Sequence, residues 1–82
     1  MGTTKDDIRG WIERGKRNGA SHVIVVCDTF DWEDFPVEVT PQQEVQAVLA
    51  EYRNNDCYRI MEVYKMSLDL ESQLSEHRAY HV

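Results

Sequence analysis

Apolar positions along the chain switch between helical and strand periods, and the switches mark the elements. Ile8, Trp11, Ile12 and Gly15 recur at i, i+3, i+4 and i+7, one stripe of an amphipathic helix. Thr4 stands where an N-cap belongs, and Asp7 fills the acidic position of a capping box. Gly15 on the stripe lets the helix approach a sheet closely. Asn18-Gly19 ends the helix, Gly19 suiting the left-handed position that closes it. His22 to Cys27 is then a continuous, mainly β-branched run with no polar alternation, the pattern of a strand buried on both faces and central in its sheet. Asp28 to Phe35 reads as a connection. Pro36 opens a second strand, Val37-Glu38-Val39, whose alternation and leading proline suit a half-exposed edge.

Thr40-Pro41-Gln42-Gln43 has the form of a helix start, with Thr40 as cap, Pro41 in the first helical position and Gln43 closing the box. Val45, Val48, Leu49 and Tyr52 supply the buried stripe, and Asn54-Asn55-Asp56 stops the helix. Tyr58 to Met66 is predicted as a third strand. Strict alternation puts Tyr58, Ile60, Tyr64 and Met66 on one face with Glu62 among them, and Arg59, Met61, Val63 and Lys65 on the other. Ser67 or Asp69 caps a last helix anchored by Leu70 and Leu74, and Arg78 to Val82 are expected to fray. The predicted fold is a single α/β domain of the α+β kind over residues 1–82, in the order α-β-β-α-β-α. Its small three-stranded sheet has the order 2-1-3. A right-handed crossover makes the second and third strands parallel. Helices are expected on one face, with the last helix or a second protomer over the other.

Composition narrows the function classes. With 41% apolar and 29% charged residues the chain is ordinary for a globular protein. At 82 residues it is small enough that self-association is expected to add stability, so a homo-oligomer is predicted. No apolar run approaches the roughly 20 residues of a membrane span. No apolar signal core follows Met-Gly-Thr-Thr-Lys-Asp-Asp, so a cytoplasmic location is expected. Cys27 and Cys57 lack CxxC or zinc spacing and read as buried, reduced thiols. The net charge of −6 argues against direct nucleic-acid binding. The charge is also uneven: residues 1–20 hold five bases against three acids, the remainder four bases against twelve acids, a polarity that fits head-to-tail or reciprocal association and equally well plain solvation.

The least generic stretch is Asp28-Thr29-Phe30-Asp31-Trp32-Glu33-Asp34-Phe35-Pro36, with four acids, three aromatics, no glycine and no base. A hairpin loop ordinarily favours Asn, Gly or Ser. Here the rings must either fold back on the core, as expected for Phe30 and Phe35, or form a contact surface, a role open to Trp32. The run Val-Val-Cys-Asp-Thr-Phe-Asp-Trp-Glu-Asp-Phe-Pro-Val, followed by Met-Glu-Val-Tyr and Ser-Leu-Asp, resembles small uncharacterised proteins of bacteria and their phages. The resemblance covers most of the chain and implies that these residues are a family signature, with no activity attached. A phage origin would favour an interaction role, such as binding a host protein or a small host signal.

Four readings of the acidic segment compete. In one, the acids are structural: Asp28 and Asp31 accept backbone N–H bonds in turns while Glu33 and Asp34 face water. In another, Asp28, Asp31, Glu33 and Asp34 hold a divalent cation, although the glycine and distal glutamate of an EF-hand loop are absent. In a third, Asp28 just beyond a buried strand serves a small metal-dependent hydrolase. Val-Val-Cys-Asp-Thr-Phe-Asp is similar to the Asp-x-Asp of aspartate-dependent phosphatases with the second Asp one position late. In the fourth, the aromatic and acidic residues are a docking surface with Trp32 as anchor.

The smaller signals are three. His77 and His81 stand four apart, the spacing of a helical metal pair, though no carboxylate occupies a ligand position beside them. His22 reads as a packed or turn residue. Glu62 reads first as an exposed carboxylate on an open strand face; if its apolar neighbours bury it, it needs a partner such as Arg59, Arg14, Arg17 or a tyrosine, or it lines a pocket. The sequence therefore predicts a non-catalytic binding protein without cofactor or metal, whose partner is a protein or small molecule. Its candidate binding residues are Asp28, Asp31, Trp32, Glu33, Asp34, Phe35, Arg59 and Glu62. The alternatives are the metal-dependent hydrolase and an oligomer that sequesters a nucleotide between protomers with Arg9, Trp11, Tyr58, Arg59 and Tyr64.

Overall fold

The computed structural model describes residues 3–82. Helix α1 (Lys5–Arg17) starts as its capping box dictates: Thr4 Oγ1 accepts from Asp7 N and the Asp7 carboxylate from Thr4 N. Asp6 and Asp7 in the first turn and Arg14, Lys16 and Arg17 in the last complement the helix dipole. Gly19, at φ 77°, follows the Asn18 cap. Strand β1 (His22–Asp28) is central and its His22–Cys27 run is buried throughout. It pairs antiparallel with β2 (Glu33–Val39) on one side and with β3 (Tyr58–Lys65) on the other, in spatial order β2-β1-β3. The two outer strands therefore run in the same direction, as the crossover through α2 (Val45–Arg53) requires. A short α3 (Leu70–Leu74), capped by Asp69, precedes the C-terminal segment.

The helices divide between the two faces of the sheet rather than sharing one. On one face α1 and the residues from α3 onward cover Val25 and Tyr64, with Ile8, Ile12, Leu74 and Ala79 buried against them. On the other, Val48 and Leu49 of α2 bury Ile24, Val26, Val39 and Val63. Because β1 contributes alternate residues to both faces, it has no polar position to spare, and each aliphatic side chain so buried contributes about 1.5–3 kcal/mol. The gap at Gly15 is what lets α1 sit on the sheet. A Cβ built there would lie 2.6 Å from Val23 Cγ2.

Several boundaries differ from the sequence expectation. The connection after β1 is only residues 29–32, and Pro36 lies within β2, opposite Val25, rather than opening it. An edge strand tolerates this because alternate N–H groups there point away from the sheet. Helix α2 begins at Val45. Thr40 N and Oγ1 do donate to Gln43 Oε1, but they close a turn ahead of the helix instead of capping it.

In β3 a register shift opposite Val25/Val26 adds one residue to the strand, so Val25 faces Glu62 and Val26 faces Ile60. The alternation is thereby inverted halfway along. Tyr58 and Ile60 join Val63 beneath α2, whereas Tyr64 and Met66 pack beneath α1. The C-terminus does not fray. Val63 N donates to Ala79 O, His81 N to Val63 O, and Ala79 is fully buried. The Gln73 amide, also buried, accepts from Lys65 N and donates to Lys65 O, closing the β3 edge as a strand residue would. Of the two cysteines, Cys27 is buried as expected and Cys57 is exposed.

Candidate functional site

The residues singled out in the sequence fall in four places. Asp28, Asp31, Trp32 and Glu33 form the β1–β2 hairpin tip. Asp28 is the post that shapes it: its Oδ1 accepts from Phe30 N at 2.9 Å and its carbonyl from Trp32 N at 2.6 Å. Thr29 ties the tip sideways to the start of β3, its N and Oγ1 both donating to Cys57 O at 2.8 and 3.0 Å. These bonds aim two rings at solvent. Phe30 is 85% exposed, against the expectation that it folds back, and Trp32 is 62% exposed. Trp32 also sits at φ 57°, the left-handed region, which costs a bulky side chain roughly 1–2 kcal/mol. Asp31 and Glu33 flank it and are exposed.

Phe35 folds back as expected. It meets Tyr58 edge-on at 5.8 Å and Tyr52 at 6.4 Å, while Tyr52 and Tyr58 stand 5.2 Å apart. The three rings bind the tip ends of β2, β3 and α2 together and act as a support rather than a contact surface.

Asp34 and Glu62 reach the opposite face of the sheet. Both line a cavity of about 400 Å³ beside the N-terminus of α1, with Lys5, Met61 and Arg78 around them. Glu62 is nearly buried, its side chain 12% exposed. Its partners are the Tyr64 hydroxyl, which donates at 2.9 Å, and Lys5 Nζ at 3.7 Å, not an arginine. Burial first, and then the Glu62 carboxylate, hold the Tyr64 phenol well above its ordinary range, so it acts only as a proton-bearing donor. Burial, followed by a hydrogen bond to Asp34, likewise pushes the Cys27 thiol up, away from reactivity.

Arg59 lies at the β3 edge, in a separate cleft of about 310 Å³ with Arg53, Tyr58, Ile60 and Tyr80. Sequence reasoning missed Arg53 and Tyr80 because one closes a helix and the other lies in a tail expected to fray. The five residues of the nucleotide reading are thus split, with Arg9, Trp11 and Tyr64 on the α1 side and Tyr58 and Arg59 elsewhere. His77 and His81 are also apart in role: His81 pairs with Glu76 and His77 lines the cavity beside α1. Among the described residues, no three His, Cys, Asp or Glu side chains are grouped as a metal-ligand set. Among the described residues, no helix is long and apolar enough to cross a membrane. Compared with protein-family models, curated proteins and solved structures, the chain matches none.

Proposed function

We propose that this is a non-catalytic binding protein that docks on a protein partner through the tip of its β1–β2 hairpin. The observation that carries the reading is Trp32. The turn position it occupies would be met at lower cost by glycine or asparagine, yet it holds a large indole that the fold leaves mostly in water. Neither stability nor solubility rewards that choice, whereas a partner pocket does: tryptophan is among the residues that dominate interface energetics. Phe30 enlarges the apolar surface, and Asp31 and Glu33 beside it favour a pocket with a basic rim. Asp28 and Thr29 pre-order the tip, which lowers the entropy lost on docking.

The reading is tested by selecting random displayed peptides on the intact protein. Enriched peptides should combine lysine or arginine with apolar residues. Their affinity should fall about thirtyfold or more in Trp32→Gly, as for an interface anchor. The melting temperature of Trp32→Gly should hold or rise, because glycine relieves the left-handed strain. Peptides that bind Trp32→Gly as tightly as the parent protein, or a selection that enriches nothing, would overturn the proposal.

A further inference from the structure

We infer that the cleft at the open end of β3 binds the phosphate of a small ring-bearing anion, of the nucleoside monophosphate class. This site lies on different elements from the hairpin tip and does not depend on it. The chain carries 15 acidic and 9 basic residues, so a cleft whose charged groups are all cations runs against its overall charge. Among the described residues the ion pairs use Lys5, Arg9 and His81 and leave out Arg53 and Arg59, as they do Arg14, Lys16, Arg17 and Arg78. Arg53 and Arg59 line one cleft. The cleft lining holds two guanidiniums and no carboxylate, a local reversal of sign in a chain of net charge −6. Arginine's planar fork matches the oxygen geometry of phosphate.

The phenols complete the site. Arg53 donates to the Tyr80 hydroxyl, which keeps its own proton for an acceptor in the cleft. Tyr80 is half exposed, so its ring face is available for stacking. Tyr58 is held by its edge-on contacts with Phe35 and Tyr52 and supplies a fixed aromatic wall, with Ile60 beside it. The backbone leaves this place open. Gln73 covers the β3 edge at Lys65, residues 79–81 cover it at Val63, and Arg78 Nε bonds Met61 O. Tyr58 to Ile60 lie beyond that cover. A volume of about 310 Å³ is at the small end of ligand sites and suits one nucleotide rather than a dinucleotide.

The test is calorimetric titration of the intact protein with AMP, GMP, CMP and UMP, alongside the matching nucleosides and inorganic phosphate, with amide shifts mapped by NMR. At least one nucleotide should bind saturably and shift amides of residues 53, 58–60 and 80. Its nucleoside and inorganic phosphate should each bind at least about tenfold more weakly. Arg59→Ala and Arg53→Ala should each weaken nucleotide binding about tenfold or more, the expectation for a lost charge-assisted bond. Arg59 is exposed, so its substitution should leave the melting temperature unchanged. Four outcomes would overturn the inference: no saturable binding at millimolar nucleotide, amide shifts confined to other surfaces, inorganic phosphate binding as tightly as any nucleotide, or unchanged affinity in Arg59→Ala.

Discussion

Gly10 and Gly15 belong to the same helix and answer to different constraints. Nothing lies within 4 Å of a Cβ built on Gly10, whereas one on Gly15 meets Val23 Cγ2 at 2.6 Å. Val23 is fully buried in the central strand and has no room to yield. Gly10→Ala should therefore stabilise the protein by about 0.5–1 kcal/mol through helix propensity. Gly15→Ala gains the same propensity but must displace α1 from the sheet, an overpacking cost of typically 1–3 kcal/mol, so its net effect should be destabilising. Thermal melts of the two variants should move in opposite directions. Gly15 was legible in the sequence because it falls on the apolar stripe, and Gly19 because a helix end states its own geometry. The left-handed turn at Trp32 was not, since no local rule places a bulky residue there. Of the partners of Glu62, the tyrosine was legible and is Tyr64, whereas Lys5 was not, because it comes from the other end of the chain.

Elements were readable where the period was unbroken and misread where something interrupted it. The β1 run, the α1 and α2 stripes and the Asp69 cap all stand as their patterns imply. In β3 one inserted residue inverted the pattern, and a bulge leaves no mark in a sequence with no glycine to announce it. Pro36 marks β2 as an edge strand, as the sequence implies, but an edge strand admits a proline in its interior as well as at its start, so the residue does not fix the boundary. Residues 79–81 contain no periodic signal, so the sequence alone gives the C-terminal segment no anchor. Its attachment is tertiary, through Val63 and the buried Ala79. A chain ending at Arg78 should lose both backbone bonds to Val63 and uncover the α1-side core. Each lost bond should cost about 0.5–1.5 kcal/mol. Hydrogen exchange should then quicken at Val63 before it does in β1, and equal protection of Val63 in the full and shortened chains would count against this role.

At the scale of the molecule, one sheet serves two cores, and its outer edges are managed differently. The β3 edge is closed from Met61 to Lys65 by the chain's own C-terminal part and left open at Tyr58–Ile60. The β2 edge carries Pro36 together with Glu33, Asp34 and Glu38, which oppose strand addition by another chain. Global stability should also depend on pH through His22, which is buried in β1 with Nδ1 beside Ser21 Oγ and Nε2 without a hydrogen-bond partner. Burial first, and then the Lys65 ammonium across the strand pair, hold this imidazole below its ordinary 6.5, against a smaller upward pull from the nearby Val82 backbone, which lies outside hydrogen-bond geometry. Below that value the unfolded chain takes up the proton more readily than the folded one. The stability that depends on a neutral ring is therefore present above about pH 6.5 and is lost as pH falls through the folded-state value. Urea midpoints should drop on moving from about pH 7.5 to 5.5, and drop less in His22→Gln. Equal drops in both proteins would assign the acid sensitivity to other groups.

The two indoles occupy contrasting surroundings: Trp11 leans on the apolar layer under α1, and Trp32 stands in water at the far end of β1. Indole emission moves to longer wavelength on entering water and to shorter wavelength on leaving it. Denaturation, which wets Trp11, and capture of the tip, which dries Trp32, therefore displace the spectrum in opposite senses. The chain thus carries an intrinsic optical gauge that separates loss of the fold from engagement of a partner without any attached dye.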